Sequence, residues 1–352
     1  MSTVFEDSYP WVIEPLIACA PMRVIALSPL AVAVSRAGGI GFLAAGSDLS
    51  DLQDNLEEAA RLIKHTPVPG AARDMLPIGV GFLNWGADLS KALEAIKKYV
   101  PAAVWFFAPR TNDDLALWTR RVREVSATRT KIWIQVGTVA DAVEISRLCK
   151  PDALVVQGTD AGGHGLERGA GIITLFPEVA DALKEQGLGH ITLVAAGGIV
   201  EGRGTAACLS LGAGGVVMGT RFLACTEAHI AKGYQDEVVR ARDGGVNTVR
   251  SRVYDALRGM TDWPSQYNGR GIINQSFLDV TNGEVTEENK RLYAEATKVG
   301  NDGWGPQGRM TTYAGTGVGL IHEIKIAEAI LEEVRKDVKR IQHRGHEPKA
   351  HM

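Results

Sequence analysis

The sequence predicts an α/β fold, a closed (β/α)8 barrel of the TIM type with a smaller, mostly helical second domain inserted before the C-terminal helix. Short apolar runs alternate with amphipathic stretches about eight times within roughly 230 residues, which is typical of α/β proteins. Each run is apolar almost throughout, as in parallel strands that are buried on both faces. Eight such units in this length favour a closed barrel over an open doubly wound sheet.

The predicted strands and helices follow from this alternation. The strands are Pro15–Ala20, Ile40–Ala45, Pro77–Leu83, Ala102–Ala108, Lys131–Val136, Ala153–Gly158, Ile191–Ala196 and Gly215–Gly219. Helical patterns between them include Asp51–Lys64, Leu89–Tyr99, Asp113–Ser126, Val139–Cys149 and Thr205–Leu211. Together they place the barrel in residues 1–240.

The alternation stops after about Arg240, where Gly, Asn, Trp and Tyr become frequent and no buried strand is predicted. We interpret residues 241–319 as a helical substrate or lid domain, with one clear helix at Thr286–Thr297. Residues 320–352 contain a last amphipathic helix, Ile321–Ile341, whose apolar side would pack back on the barrel.

Charge and hydropathy exclude several classes of partner. The chain has 352 residues, with 38 Lys and Arg against 41 Asp and Glu, so its formal net charge is −3. Because no excess positive charge is present to neutralise a phosphate backbone, we expect no nucleic-acid partner. The first ten residues lack the features of a signal peptide, and no apolar run approaches the ~20 residues of a membrane span. We therefore expect a cytoplasmic protein without a membrane partner.

The cysteines argue against a metal site. Cys19, Cys149, Cys208 and Cys225 lie far apart in the sequence, with no CxxC pair and no Cys/His cluster. This spacing is typical of neither a zinc site nor a disulfide framework. We expect no metal.

Glycines collect after the seventh and eighth predicted strands, as Gly197-Gly198 and Gly219-Thr220. The loops after these two strands are the usual phosphate site of such barrels, and glycine lets backbone N–H groups approach phosphate oxygens closely. A phosphate site is therefore favoured over tight turns alone. Arg221, next in the chain, either contacts the phosphate or pairs with a neighbouring carboxylate.

A histidine follows the sixth predicted strand in a glycine-rich segment. The segment reads Gln157-Gly158-Thr159-Asp160-Ala161-Gly162-Gly163-His164-Gly165. Glycines remove side-chain bulk around His164 and leave it open to a ligand, and an imidazole pKa of about 6.5 suits a general base. The alternative is a structural histidine that is hydrogen-bonded within the fold. The setting favours the base.

Other residues at predicted strand ends have less specific roles. Pro21-Met22 would place a thioether over the barrel mouth, although methionine there is more often part of the core. Gln135 and Gln157 end the fifth and sixth strands, where an amide binds either a heterocycle or a neighbouring loop. The sequence has no GxGxxG opening a helix after the first strand, no Walker loop and no G-x-S-x-G, so the Rossmann, P-loop and hydrolase signatures are missing.

Several of these segments resemble the nitronate monooxygenases, formerly called 2-nitropropane dioxygenases. They are Pro21-Met22, Gln135-Val136-Gly137-Thr138, residues 157–164, Ala196-Gly197-Gly198 and Gly219-Thr220-Arg221-Phe222. Residues 244–249, 268–270 and 315–320 are most similar to the fungal branch of that family. The Asp160–His164 segment also resembles FMN-dependent enoyl-acyl-carrier-protein reductases and NADH:quinone reductases, so it does not identify the substrate.

The resemblance implies an FMN-dependent enzyme that oxidises alkyl nitronates with O2 to carbonyl compounds and nitrite, with neutral nitroalkanes as a further substrate class. It implies that His164 is the catalytic base. The residues that it assigns to FMN are Pro21, Met22, Gly81, Gln135, Gln157, Gly162, Gly163, Gly197, Gly198, Gly219 and Thr220. Gly165 departs from many relatives, which carry a larger or charged residue there. Whether the chain forms a homodimer is left open.

Two other functions remain open from the sequence. One is an NAD(P)H-dependent flavin reductase of the quinone or enoyl reductase type on the same fold. The other is a barrel that binds a metabolite without turnover, since a fold by itself does not define an activity.

Overall fold

The computed structural model describes residues 8–280 and 285–344, so parts of the first and last predicted domains, residues 1–7 and 345–352, lie outside the described residues. Eight parallel strands form a closed barrel and confirm the predicted fold class. In order around the barrel they are β1 (Leu16–Cys19), β2 (Ile40–Gly46), β3 (Leu76–Leu83), β4 (Pro101–Phe107), β5 (Lys131–Val136), β6 (Ala153–Gln157), β8 (Thr192–Ala196) and β9 (Gly215–Met218). All eight predicted strands are present, with small shifts at their ends.

Alternate residues of each strand face two different cores. In β1, Leu16 and Ala18 point into the barrel, whereas Ile17 and Cys19 pack against the surrounding helices. Large aromatic side chains fill the barrel interior, where the ring centroids of Phe42 and Trp133 are 5.2 Å apart. The interior is therefore a packed core, and ligands are expected at the carboxyl ends of the strands.

Helices connect the strands on the outside. They are α1 (Ser28–Arg36), α2 (Leu52–His65), α3 (Leu89–Tyr99), α4 (Asn112–Ser126), α5 (Val139–Cys149), α6 (Ile172–Glu185) and α7 (Gly202–Ser210). The helices predicted between the strands are all present; the last of them begins at Gly202 instead of Thr205, because Glu201 caps its N-terminus by accepting from the amides of residues 203 and 204.

A small antiparallel sheet, which we call the lid sheet, covers part of the barrel mouth. The sequence did not predict it. It consists of β10 (Thr248–Ser251), β11 (Tyr267–Ile272) and β7 (Gly163–Leu166), in that order. β7 belongs to the connection between two barrel strands, so the sheet joins that connection to the later part of the chain. Its strands are short and partly exposed, and two of the three contain glycine, so they show no apolar run.

The segment after the barrel is otherwise made of short helices and turns. Its α-helices are α8 (Thr220–Leu223), α9 (Lys232–Arg240), α10 (Gly244–Asn247), α11 (Val253–Leu257), α12 (Gln275–Leu278) and α13 (Glu287–Lys298). The helix predicted at Thr286–Thr297 corresponds to α13. Thr286 is its N-cap and forms a capping box with Asn289.

The last helix, α14 (Ala327–Arg344), packs against α1 and α7. It begins at Ala327 instead of the predicted Ile321, because residues Thr316–Leu320 form a 3₁₀ turn and Lys325 makes a strand-like bridge to Cys225. Within the described ranges we find no helix that combines the length and the apolarity of a membrane span.

Candidate active site

The ends of four barrel strands, β1, β3, β8 and β9, form the floor of the candidate site. Pro21 and Met22 follow β1, and a Cβ built on Gly81 of β3 would lie 2.3 Å from the Cβ of Pro21. Glycine at position 81 is therefore needed for this close approach. A Cβ built on Gly219, after β9, would lie 3.7 Å from the Cβ of Ala20 and 3.9 Å from the Sδ of Met22. We call Pro21, Met22, Gly81, Gly198 and Gly219 the barrel floor.

The loops after β8 and β9 have the backbone geometry that the phosphate prediction requires. Gly198 has a φ of +75°, and a Cβ there would lie 2.8 Å from the Cβ of Asp160. Neither Gly198 nor Gly219 donates a backbone hydrogen bond to another main-chain group in residues 8–280 and 285–344. The hydroxyl of Thr220 accepts a hydrogen bond from the amide of Gly315 at 3.0 Å. Two amides are thus available to an anion on the floor.

The predicted glycines at 162, 163 and 197 have different surroundings. A Cβ on Gly162 would lie 2.3 Å from the amide nitrogen of Gly315, so this glycine is required for backbone packing. Gly197 has a φ of +101° and packs against the carbonyl of Gly158. In contrast, a Cβ on Gly163 would meet nothing within 4 Å. Of the three, Gly163 faces open space.

The two predicted glutamines line one cavity at the ends of β4, β5 and β6. Oε1 of Gln135 accepts a hydrogen bond from the indole of Trp105 at 3.2 Å. Oε1 of Gln157 lies close to Gly165, where a Cβ would be 2.5 Å away. The cavity has a volume of about 610 Å³ and opens beside the lid sheet. Both amides therefore lie where a ligand over the barrel mouth can reach them.

His164 lies on β7, in the lid sheet, rather than at the end of a barrel strand. Its Nε2 is 3.0 Å from both carboxylate oxygens of Asp255 on α11. Its ring stacks on Trp263, with the centroids 3.8 Å apart and the planes inclined by 4°. The hydroxyl of Tyr313 donates to Oδ1 of Asp255 at 2.6 Å. We call His164, Asp255, Trp263 and Tyr313 the lid cluster.

The lid cluster is well shielded from water. The side chains of His164 and Asp255 are 11% and 7% exposed. Burial and the negative charge of Asp255 raise the pKa of Tyr313 above its usual value, so its hydroxyl stays protonated and can donate. His164 is predicted from the sequence but its three partners are not, since Asp255, Trp263 and Tyr313 carry no local motif.

Two arginines that face each other across the β10–β11 pair hold the 159–163 loop against the lid sheet. Arg250 donates to the carbonyls of Ala161 and Asn268, each at 2.9 Å, and Arg270 donates to that of Thr159 at 3.2 Å. Burial, followed by the charge of Arg270, lowers the pKa of Arg250 to about 10. Neither arginine has a role predicted from the sequence.

One of the two roles predicted for Arg221 is an ion pair with a carboxylate. Among the described residues, Arg221 forms no such pair. Its Nη1 donates to the main-chain carbonyl of Glu323 at 3.0 Å. Burial lowers the pKa of Arg221. Within the described ranges, no group of three or more His, Cys, Asp or Glu side chains is placed to hold a metal ion.

The closed strand order and the surrounding helices define a (β/α)8 barrel, and its glycine loops after β8 and β9 lie where barrels of this class usually bind phosphate. Residues 91–337 match the family model described as nitronate monooxygenase. A nitronate monooxygenase of Metarhizium robertsii, npaC, is 49% identical over 95% of this chain and 94% of its own length. One from Neurospora crassa is 36% identical over 96% and 92%. The chain therefore belongs to the nitronate monooxygenase family, which are oxidoreductases.

Solved structures agree on the architecture. FabK from Thermotoga maritima superposes with a TM-score of 0.74 at 25% identity, covering 98% of this chain and 99% of its own. A nitroalkane oxidase from Streptomyces ansochromogenes gives 0.73 at 23% identity, covering 97% and 99%, which bears on the fold alone. Membership of this family implies a flavin cofactor.

Proposed function

We propose that this enzyme uses FMN and O2 to oxidise alkyl nitronates to carbonyl compounds and nitrite, and that His164 is the base for neutral nitroalkanes. The observation that carries the proposal is unfilled space beside glycine backbone, both next to His164 and in the loop after β9. Gly163, next to His164, has nothing within 4 Å of its Cβ direction, and Gly219 has nothing nearer than 3.7 Å. Family membership supplies the reaction class.

The residues present fit FMN. The amides of Gly198 and Gly219 and the hydroxyl of Thr220 would hold the phosphate, because glycine lets the main chain approach it closely. Gly197 and Gly162 shape the adjacent backbone. Pro21 and Met22, with Gly81, Gln135, Gln157 and Gly163, would line the ring system. When bound, FMN supplies the electron transfer between nitronate and oxygen.

The protein's own contribution is to position the substrate and to move one proton. A nitronate has already lost its α-proton and needs only positioning. A neutral nitroalkane must first lose that proton to a base within about 3 Å, and His164 is the base that we assign. Residues 241–319, as a domain between barrel residues 1–240 and the C-terminal part 320–352, would act as the lid, since they supply Asp255, Trp263 and Tyr313.

Anaerobic mixing of the FMN-loaded protein with ethylnitronate tests the proposal. We expect the visible flavin absorbance to bleach, and to return with nitrite release when air is admitted. The same protein is mixed separately with NADH and with NADPH. Bleaching by a nicotinamide but not by ethylnitronate would instead identify a flavin reductase. A protein that stays colourless after FMN is added would indicate a binding barrel without turnover.

A further inference from the structure

The position of Asp255 is not explained by packing alone, and it points to a second contributor to proton transfer. Asp255 and Tyr313 come from two segments far from His164 in the sequence, yet a carboxylate oxygen of Asp255 is within 3.0 Å of the ring nitrogen and 2.6 Å of the tyrosine hydroxyl. Buried carboxylates are rare unless hydrogen-bonded, so this arrangement must be supported by its partners.

We propose that Asp255 is a positioning residue for His164, which fixes the ring as the Nε2–H tautomer and leaves Nδ1 as the atom that takes the substrate proton. This inference rests on the proposed function, in which His164 is the base. An ionised carboxylate only accepts hydrogen bonds, so the nitrogen that faces Asp255 must carry the proton. Nδ1 has no hydrogen-bond partner among the described residues.

Two neighbours make this orientation rigid. The Tyr313 hydroxyl donates to Asp255 and so holds the carboxylate in place. Trp263 covers one face of the imidazole at 3.8 Å and limits its rotation. Asp255 occupies the Nε2 edge of the ring and Trp263 covers one face. The edge that remains for a substrate is therefore the one with Nδ1.

In this proton transfer from a neutral nitroalkane to His164, one bond breaks and one bond forms. The C–H bond of the neutral nitroalkane breaks, its electron pair stays on the substrate as the nitronate, and the proton forms a bond to Nδ1. The resulting imidazolium keeps its Nε2–H bonded to Asp255, which offsets the new positive charge. The same logic applies wherever a carboxylate orients a histidine base.

The charged and titratable groups around His164 are few in the described residues. Asp255 contacts the ring itself, and Tyr313 contacts Asp255. The guanidinium carbon of Arg258 lies 5.6 Å from the ring centroid of Tyr313, and Arg250 donates to the carbonyl of Gly163. Among the described residues, Asp255 is the one carboxylate in contact with the ring, so its removal takes away the acceptor that faces Nε2.

Nitrogen NMR of the FMN-loaded protein with ¹⁵N-labelled histidine tests the inference directly. The chain has eight histidines, and the His164 signals are assigned by their loss in His164→Asn. We expect the Nε2–H tautomer in the wild-type protein. The Nδ1–H tautomer there would overturn the inference, whether or not any Asp255 variant folds.

The decisive variant is Asp255→Asn. Tyr313 would keep its bond to the amide oxygen, so the amide NH2 would face Nε2 and the ring would carry its proton on Nδ1. We expect this change of tautomer and a loss of kcat/KM on nitroethane that is much larger than the loss on ethylnitronate. An unchanged tautomer would contradict the proposal.

Tyr313→Phe is the matched control, because it removes one hydrogen bond to Asp255 and keeps the carboxylate. The tautomer is expected to stay Nε2–H, with little selective loss of kcat/KM on nitroethane. A change of tautomer and a selective loss as large as in Asp255→Asn would assign the effect to general disruption of the lid cluster and overturn the role of the carboxylate. Failure of ethylnitronate to bleach the flavin would reject the proposed function and leave the NMR result standing.

Discussion

The barrel floor and the lid cluster are built from different kinds of group. The floor presents main chain: Gly198 and Gly219 offer amides, and Gly81 allows two strand ends to touch. The lid cluster presents side chains, an imidazole and a carboxylate within 3.0 Å of each other. A site made of main-chain groups binds a cofactor that many enzymes share, whereas a site made of side chains determines which reaction is catalysed. The comparison predicts that changes on the floor affect cofactor content and changes in the lid cluster affect the proton step.

The largest effect is expected from Gly198→Val. Its φ of +75° is strained for a branched residue, and its Cβ would meet that of Asp160 at 2.8 Å. Relief of this strain, of about 1–3 kcal/mol, would move the backbone amide of residue 198 away from the phosphate, so activity on every substrate would be lost with the cofactor. We expect most of the FMN to be lost while the far-ultraviolet circular dichroism stays that of a folded barrel.

Gly187→Val is the matched control for that change. Gly187 also has a positive φ, +72°, but its Cβ would meet nothing within 4 Å. It precedes β8, at the end of the barrel opposite the site. Its backbone strain is therefore similar, and FMN content is expected to stay normal. A fully yellow Gly198→Val protein would show that the phosphate binds elsewhere.

The next effect in size concerns the lid cluster. His164→Asn keeps approximate size but cannot accept a proton near neutral pH, so we expect a loss of about 10²–10⁴-fold in kcat/KM on nitroethane. The loss on ethylnitronate should be much smaller, with FMN content normal. Equal losses on both substrates would make His164 a binding or structural residue. A wild-type enzyme that consumes ethylnitronate but not nitroethane would contradict its role as base.

The same difference explains what the sequence could and could not predict. The floor lies at strand ends, and strand ends follow from apolar runs, so Gly198 and Gly219 were found from the sequence. Asp255 follows β10, and Tyr313 forms a bridge to Gly271 of β11, so both reach His164 through the sheet that β10 and β11 form with β7. Such short strands give no periodic signal in the sequence. Even His164 was placed at a barrel strand end, because nothing in its neighbourhood predicts a separate sheet.

A smaller effect is expected where the two regions are joined. Arg250→Met removes hydrogen bonds to the carbonyls of Ala161 and Asn268, which tie the 159–163 loop to the lid sheet. Since the loop positions both Gly163 and His164, we expect about a tenfold loss of kcat/KM, or about 1.4 kcal/mol, that is similar on nitroethane and ethylnitronate. A loss confined to nitroethane would place Arg250 in the proton step.

Arg335→Met is the control for that variant. Arg335 is also a buried arginine that donates to main-chain carbonyls, those of Ile13, Ala37 and Gly38. Burial lowers its pKa to about 10, as it does for Arg250. Its partners precede β1 and β2, away from the barrel mouth. We expect a lower melting temperature with kcat/KM preserved per folded enzyme.

The smallest effect, none, is expected from prolonged treatment of the FMN-loaded enzyme with a chelator. His164 and Asp255 are both metal-ligand types, but a stable site needs at least a third protein ligand, and none joins them within residues 8–280 and 285–344. Nitrite release is measured before and after treatment, and again after Zn²⁺, Mn²⁺ or Mg²⁺ is added. Inactivation reversed by one of these ions would mean that the lid cluster holds a metal. Asp255 would then be a ligand instead of a positioning residue, and the division between a main-chain floor and a proton-transferring lid would fail.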